Sequence, residues 1–137
     1  MPDQWRIHFL QRDHRDDPDR AVPAMVFFDS VSTKVRAEIV AILTAVAEAP
    51  PPAFSGGGKW EAMHGEMAGF YEIRVQGGGM NHRLFCLLER DAEDLGGSSI
   101  VAIDGLSKPK RSAAAPKDYR RALKNRAEFE RRRTVLE

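Results

Sequence analysis

The chain has a single cysteine, Cys86, among 137 residues. That excludes an intramolecular disulfide framework and a zinc site built on several thiolates. It also lacks any apolar run near the roughly 18–20 residues that a membrane-spanning helix needs. The longest candidate, residues 39–49, is interrupted by Thr44 and Glu48. The first residues carry Asp3 and Arg6 and no apolar signal core, so export is not expected and a cytoplasmic location is. Hydrophobic residues at 42% and charged residues at 30% exclude a disordered tail and fit a soluble globule. The length suits one domain over residues 1–137, because two would each be too small to hold a good core.

Metal-ligand patterns are missing as well. His8, His14, His64 and His82 have no ligand spacing, and no histidine pair flanks a glutamate. Asp13, Asp16, Asp17 and Asp19 lack the glycine and terminal glutamate of a calcium loop and read as a solvated turn. Neither a metal nor a cofactor is expected. Residues 55–59, Ser-Gly-Gly-Gly-Lys, superficially suggest a phosphate-binding loop, but position 53 is Ala where the first glycine would stand and Trp60 follows Lys59. A flexible connector is the reading that remains. Cys86 lies in an apolar stretch with no triad pattern near it and reads as a small buried hydrophobe.

Net charge of one sign is nearly absent, at +1, but that sum hides a partition. Residues 1–106 hold 10 Lys/Arg against 16 Asp/Glu, a net of −6, and residues 107–137 hold 11 against 4, a net of +7. A basic end on an acidic body reads as a contact for a polyanion or for an acidic partner, or as a solvated helix face.

Periodicity supplies the elements. Residues 5–10 read as a first strand, and the charged stretch 11–20, with Pro18, as a surface loop. Ala24, Phe27 and Phe28 suit a short amphipathic helix. Ser32 can cap a longer one in which Val35, Ile39, Ile42, Leu43 and Val46 form a core stripe, ended by Pro50-Pro51-Pro52. Residues 70–75 and 82–88 flank Gly77-Gly78-Gly79 as an antiparallel hairpin. A further strand follows over 100–106. Pro116 then introduces a helix over 117–133 with a thin apolar face of Tyr119, Ala122, Leu123 and Ala127. The order implies an α+β domain whose antiparallel sheet is covered partly on one side.

Alternation places Phe70, Glu72 and Arg74 on one face of the hairpin and Tyr71, Ile73 and Val75 on the other. In the second strand, Arg83, Phe85 and Leu87 share a face, with His82, Leu84, Cys86 and Leu88 opposite. Arginines in apolar strands are costly unless paired or near water. The ordinary arrangement is a salt bridge from Arg74 or Arg83 to Glu72 or another acid. The functional one is a phosphate-sized cationic concavity, formed if Arg74, Arg83 and the cluster Lys108-Pro109-Lys110-Arg111 converge at a strand end.

Tyr71-x-x-Arg74, then Arg83-Leu-Phe, then Ile100-Val-Ala-Ile-Asp-Gly-Leu before a Lys-rich turn, Pro116 and a basic helix resembles the RelE/ParE toxin superfamily, in its HigB-like, phage-derived branch. The resemblance covers roughly residues 5–130. It implies an α+β, RelE-like antiparallel sheet with two N-terminal helices packed on it and a C-terminal basic helix. It also implies a type II toxin, a ribosome-dependent mRNA endoribonuclease that inhibits translation. The implied partners are the ribosome, mRNA and a helix-turn-helix antitoxin, with toxin and antitoxin assembling into a heterotetramer. Metal-independent cleavage by 2′-hydroxyl attack needs a proton acceptor, a proton donor and cations on the phosphorane oxygens. Arg74 and Arg83 match the family's strand arginines, and Lys108, Lys110 and Arg111 its basic turn, as the catalytic set. Lys117, Tyr119, Arg120 and Lys124 on the last helix would bind RNA. His64 and His82 are the proton-transfer candidates by side-chain chemistry, although alternation sets His82 opposite Arg83. The turn departs from the family's pattern, since Leu106 replaces an aromatic and Pro109 separates the lysines. The same scaffold also allows a ParE-like gyrase inhibitor or a non-catalytic nucleic-acid-binding module. The basic helix could dock an acidic antitoxin segment.

Overall fold

The computed structural model describes residues 4–49 and 58–136. The chain runs β1 (Arg6–Phe9), α1 (Pro23–Asp29), α2 (Thr33–Glu48), β2 (Trp60–Ala62), β3 (Phe70–Gly77), β4 (Met80–Glu89), β5 (Ser99–Pro109) and α3 (Pro116–Arg132). The expected proline stop at 50–52 and most of the glycine connector, residues 55–57, lie outside the described residues.

Local chemistry accounts for most of these elements. The Ser32 hydroxyl accepts from the Val35 N–H at 3.2 Å and satisfies one of the donors orphaned at the start of α2. Val35, Ile39, Leu43 and Val46 then recur at helical spacing and are buried. Gly78 and Gly79 both take positive φ, 61° and 75°, as a two-residue turn needs if its twist is to match the strands. Gly77 pairs with Met80 across that turn, which fixes the register of the whole hairpin.

The sheet order is β1-β5-β4-β3-β2. It is mixed and not purely antiparallel, because β1 pairs parallel with β5 while the other three pairs are antiparallel. From β1 the chain crosses through α1 and α2 to β2 at the far edge and returns through β3 and β4, which supplies the long connection that a parallel pair requires. Nor is the sheet covered on one side only. Ile73, Val75, Leu84 and Cys86 pack with α1 and α2 in one core. Phe70, Phe85, Leu87 and Val101 pack with Ala122 and Phe129 of α3 in a second. On α3, Phe129 and not Ala127 completes the apolar face; Ala127 is exposed. A bulge between Phe85 and Cys86 shifts the β4–β5 register, so that Ile103 and Asp104 both serve the α3 side.

Charge ties α3 to the body. Arg12 of the loop after β1 meets Glu128 at 2.9 Å, and Asp16 holds Arg132 at 3.0 Å. Arg133 takes Asp94 and Glu89. The hydrogen bond from Arg15 holds the Asp13 carboxyl well below the usual range, and hydrogen bonds from Arg132 and Arg133 lower those of Asp16 and Asp94. Asp17 is lowered by the Ala21 N–H. Carboxyls depressed in the fold contribute stability that is complete above their unfolded pKa and lost as pH falls through the folded values. The melting temperature is therefore expected to hold from neutrality to about pH 5 and then fall steeply below about pH 4. Asp16→Asn should flatten that fall; a melting temperature unchanged down to pH 2 would contradict the pairing.

Candidate functional site

Three rungs of the hairpin build one face. Glu72 lies opposite Phe85, Arg74 opposite Arg83, and Gln76 opposite Asn81. On the other side of β4, Arg83 pairs with Leu106 and Asn81 with Lys108. Since side chains alternate, Glu72, Arg74, Gln76, Asn81, Arg83 and Lys108 all belong to the face that α3 partly covers. Lys108 is a strand residue, because β5 continues through Pro109 instead of ending before the lysines. The turn that follows bends back to the hairpin tip, where the Lys110 N–H donates to Gly79 O at 3.3 Å.

Two guanidiniums placed directly opposite each other would repel. Glu72, 3% exposed, resolves this by lying between them. Arg74 Nε donates to its Oε1 at 2.6 Å, and Arg83 Nη1 stands 3.7 Å from its Oε2. Arg74 Nη1 is also 3.7 Å from Glu61 of β2, and Arg83 Nη1 reaches the Tyr119 hydroxyl at 3.5 Å. The two arginines are thus both gathered and paired. With Glu72 and Glu61 counted, the hairpin cluster carries no surplus charge. Beside it opens a cleft of about 440 Å³, lined by Arg74, Gln76, Asn81 and Arg83 with Lys59 and Glu38.

The surplus lies next to this cluster. Of the eleven cations after residue 106, five meet carboxylates. Arg121 takes Asp104 and Asp118, Arg126 takes Glu130, Arg131 and Arg132 share Asp16, and Arg133 takes Asp94 and Glu89. Burial opposes the Arg121 charge, but its two aspartates more than offset this and its pKa is raised. Lys108, Lys110, Arg111, Lys117, Arg120 and Lys124 meet no carboxylate among the described residues; Lys108 Nζ donates to Ser112 O at 2.6 Å. Except for half-buried Lys108, they are exposed. Lys117, Arg120 and Lys124 follow helical spacing along one stripe of α3, a like-charge row that disfavours itself in the absence of an anion.

Both proton-transfer candidates fall elsewhere. His82 is buried on the α1–α2 face, its Nδ1 2.7 Å from Ser107 Oγ and its Nε2 3.1 Å from Gly77 O. Period two puts it behind the sheet, where it braces the hairpin tip against β5. His64 is exposed just after β2, next to the rung at which Met63 N–H meets Phe70 O. Arg74 lies four residue steps along β3 from Phe70, a span of about 13 Å. Lys59 was read only as part of a flexible connector, and Glu61, Gln76 and Asn81 went unread in the sequence: β2 has only three residues, and amides carry no charge signal.

Burial pushes the Cys86 thiol far up, which makes it inert. Among the described residues, no group of three His, Cys, Asp or Glu side chains could hold a metal ion, and no helix is long and apolar enough to cross a membrane. Compared with known proteins, the chain matches no protein-family model, no curated protein and no solved structure.

Proposed function

We propose that this chain binds RNA along the turn and the N-terminal half of α3 and cleaves it at the Arg74–Glu72–Arg83–Tyr119 cluster. It would act as a HigB-like toxin of the RelE/ParE kind, an mRNA endoribonuclease working on the ribosome and restrained by a helix-turn-helix antitoxin. The observation that carries the reading is the border of six cations, none with a carboxylate partner among the described residues, on a cluster that already contains two guanidiniums, a buried carboxylate and a phenol. Phosphate oxygens would meet Arg83 and an Arg74 released from Glu61, since a guanidinium matches two oxygens in a fork. An acidic antitoxin segment would take the same stripe, because the C-terminal half of α3 is already matched by the body.

Expression of the chain alone is expected to arrest growth and translation, with new mRNA 5′ ends inside reading frames. Arg74→Ala with Arg83→Ala should relieve the arrest at equal protein level. The expected loss of cleavage on programmed ribosomes is about 10²–10³-fold, the scale for losing groups aimed at developing charge. Undiminished arrest in the double variant would remove the assigned site.

A second reading is a module that holds RNA without cutting it. It is favoured by the absence of either histidine from the face and by the carboxylate already near each strand guanidinium. Salt-dependent RNA binding with intact RNA on programmed ribosomes would select it.

A further inference from the structure

Two polar atoms in the cluster are buried and lack a hydrogen-bond partner among the described residues: Glu72 Oε2, an acceptor, and Arg83 Nε, a donor. Buried polar groups in folded proteins are almost always satisfied, and each exception calls for an explanation, a catalytic role or a bound water or ion among them. Here the two belong to side chains already in contact, with Arg83 Nη1 3.7 Å from Glu72 Oε2. Salvaging this pair within the protein would need one group that donates and another that accepts. A ribose 2′-hydroxyl and its neighbouring phosphate provide those two groups within a single nucleotide.

We propose that Glu72 is the proton acceptor of the RNA-cleaving site, with Arg83 Nε donating to the adjoining phosphate. The assignment rests on the RNA-cleavage reading above and supplies a proton-transfer residue within the cluster itself, on the face from which His82 is turned away. Arg74 is the exposed partner of Glu72, its side chain 43% accessible. A phosphate that draws this guanidinium outward uncovers the carboxylate. The 2′-oxygen then passes its proton to Glu72 Oε2 and forms a bond to phosphorus while the bond from phosphorus to the 5′-oxygen breaks. The departing 5′-oxygen takes a proton from solvent, and Glu72 later returns its own. The products are a 2′,3′-cyclic phosphate and a 5′-hydroxyl end, with no further reactant consumed.

The test uses the full chain, programmed ribosomes and a short synthetic RNA, and compares wild type with Glu72→Gln and Glu72→Asp. Affinity for the RNA, single-turnover cleavage between about pH 4 and pH 9, and thermal melting are read for each. Glutamine keeps an oxygen that can accept from Arg74 but takes no proton. Glu72→Gln is expected to bind RNA within about twofold of wild type and to cleave about 10²–10⁴-fold more slowly, the range for losing a general base. The acidic limb of its rate profile should vanish. Glu72→Asp keeps a carboxylate and should keep that limb at a reduced rate, which decides the matter if the glutamine variant folds poorly. A glutamine variant that cleaves at the wild-type rate with the same acidic limb, or an aspartate variant that folds but loses the limb, would overturn Glu72 as the base and leave the cleavage reading standing. RNA bound but left intact by wild type would overturn the cleavage reading itself, and this assignment with it.

Discussion

Replacing Lys117, Arg120 and Lys124 together with glutamate is expected to weaken binding of single-stranded RNA about a thousandfold at about 50 mM salt. Each phosphate contact to a single strand contributes about −0.7 to the slope of log K against log salt, which amounts to roughly tenfold in affinity at that concentration. Three lost contacts multiply to about three orders of magnitude, and the slope itself should shrink by about 2. Stability should hardly change, because these side chains are exposed and meet no carboxylate among the described residues. Reversing Arg131 and Arg132 should do the opposite. Both are held by Asp16, so their loss should lower the melting temperature and leave RNA affinity nearly intact. Titration by fluorescence anisotropy at several salt concentrations, with melting curves, separates the two outcomes. An affinity within threefold of wild type in the stripe variant would remove that stripe as the RNA contact.

Asp104→Ala is expected to cost about 3 kcal/mol and about 10 °C in melting temperature. Asp104 is 3% exposed on the bulge of β5 and satisfies three donors. Its Oδ1 accepts the Gly105 N–H at 2.8 Å, and its Oδ2 accepts Arg121 Nε at 2.8 Å and Asn125 Nδ2 at 3.1 Å. Arg121 is half exposed and can turn to water, but Asn125 and the Gly105 N–H cannot. Each buried donor left unpaired costs roughly 1–3 kcal/mol. The site would feel the change too, because Asn125 and Arg121 hold α3 against β5, and Tyr119 reaches Arg83 from that same helix. Asp104→Asn keeps most of the bonds and should cost about 1 kcal/mol. A melting temperature within 2 °C of wild type for the alanine variant, followed by calorimetry, would show that Asp104 does not hold α3.

Where chemistry is local, the sequence was a good guide. Ser32 and the stripe from Val35 to Val46 define α2 without reference to anything else, and the glycine turn with flanking alternation puts Arg74 and Arg83 on one face. The parallel pairing of β1 with β5 has no local signature, since it is set by a crossover of some ninety residues. Phe129 was missed because Glu128 and Glu130 flank it, although its spacing from Ala122 and Arg126 follows the helix. The site was legible only in part. Alternation brings the two arginines together but cannot reveal that Glu61 arrives from a three-residue strand, or that Asp16 and Asp94 take up the far end of α3. Charge summed over residues 107–137 therefore overstated the field along α3 and hid where it concentrates. His82 shows the converse: a side chain with suitable chemistry, excluded by the parity of its position.

The central claim is that the hairpin cluster, the turn after β5 and the N-terminal half of α3 form one continuous RNA surface. Amide and arginine side-chain NMR shifts, followed during titration with a short single-stranded RNA, test it most directly. Shifts should move together at Arg74, Gln76, Asn81, Arg83, Lys108, Lys110, Arg111 and Lys117 to Lys124, and stay still at Arg131 to Arg133 and over α1. Movement confined to α1 and α2, or none at saturating RNA, would contradict the claim.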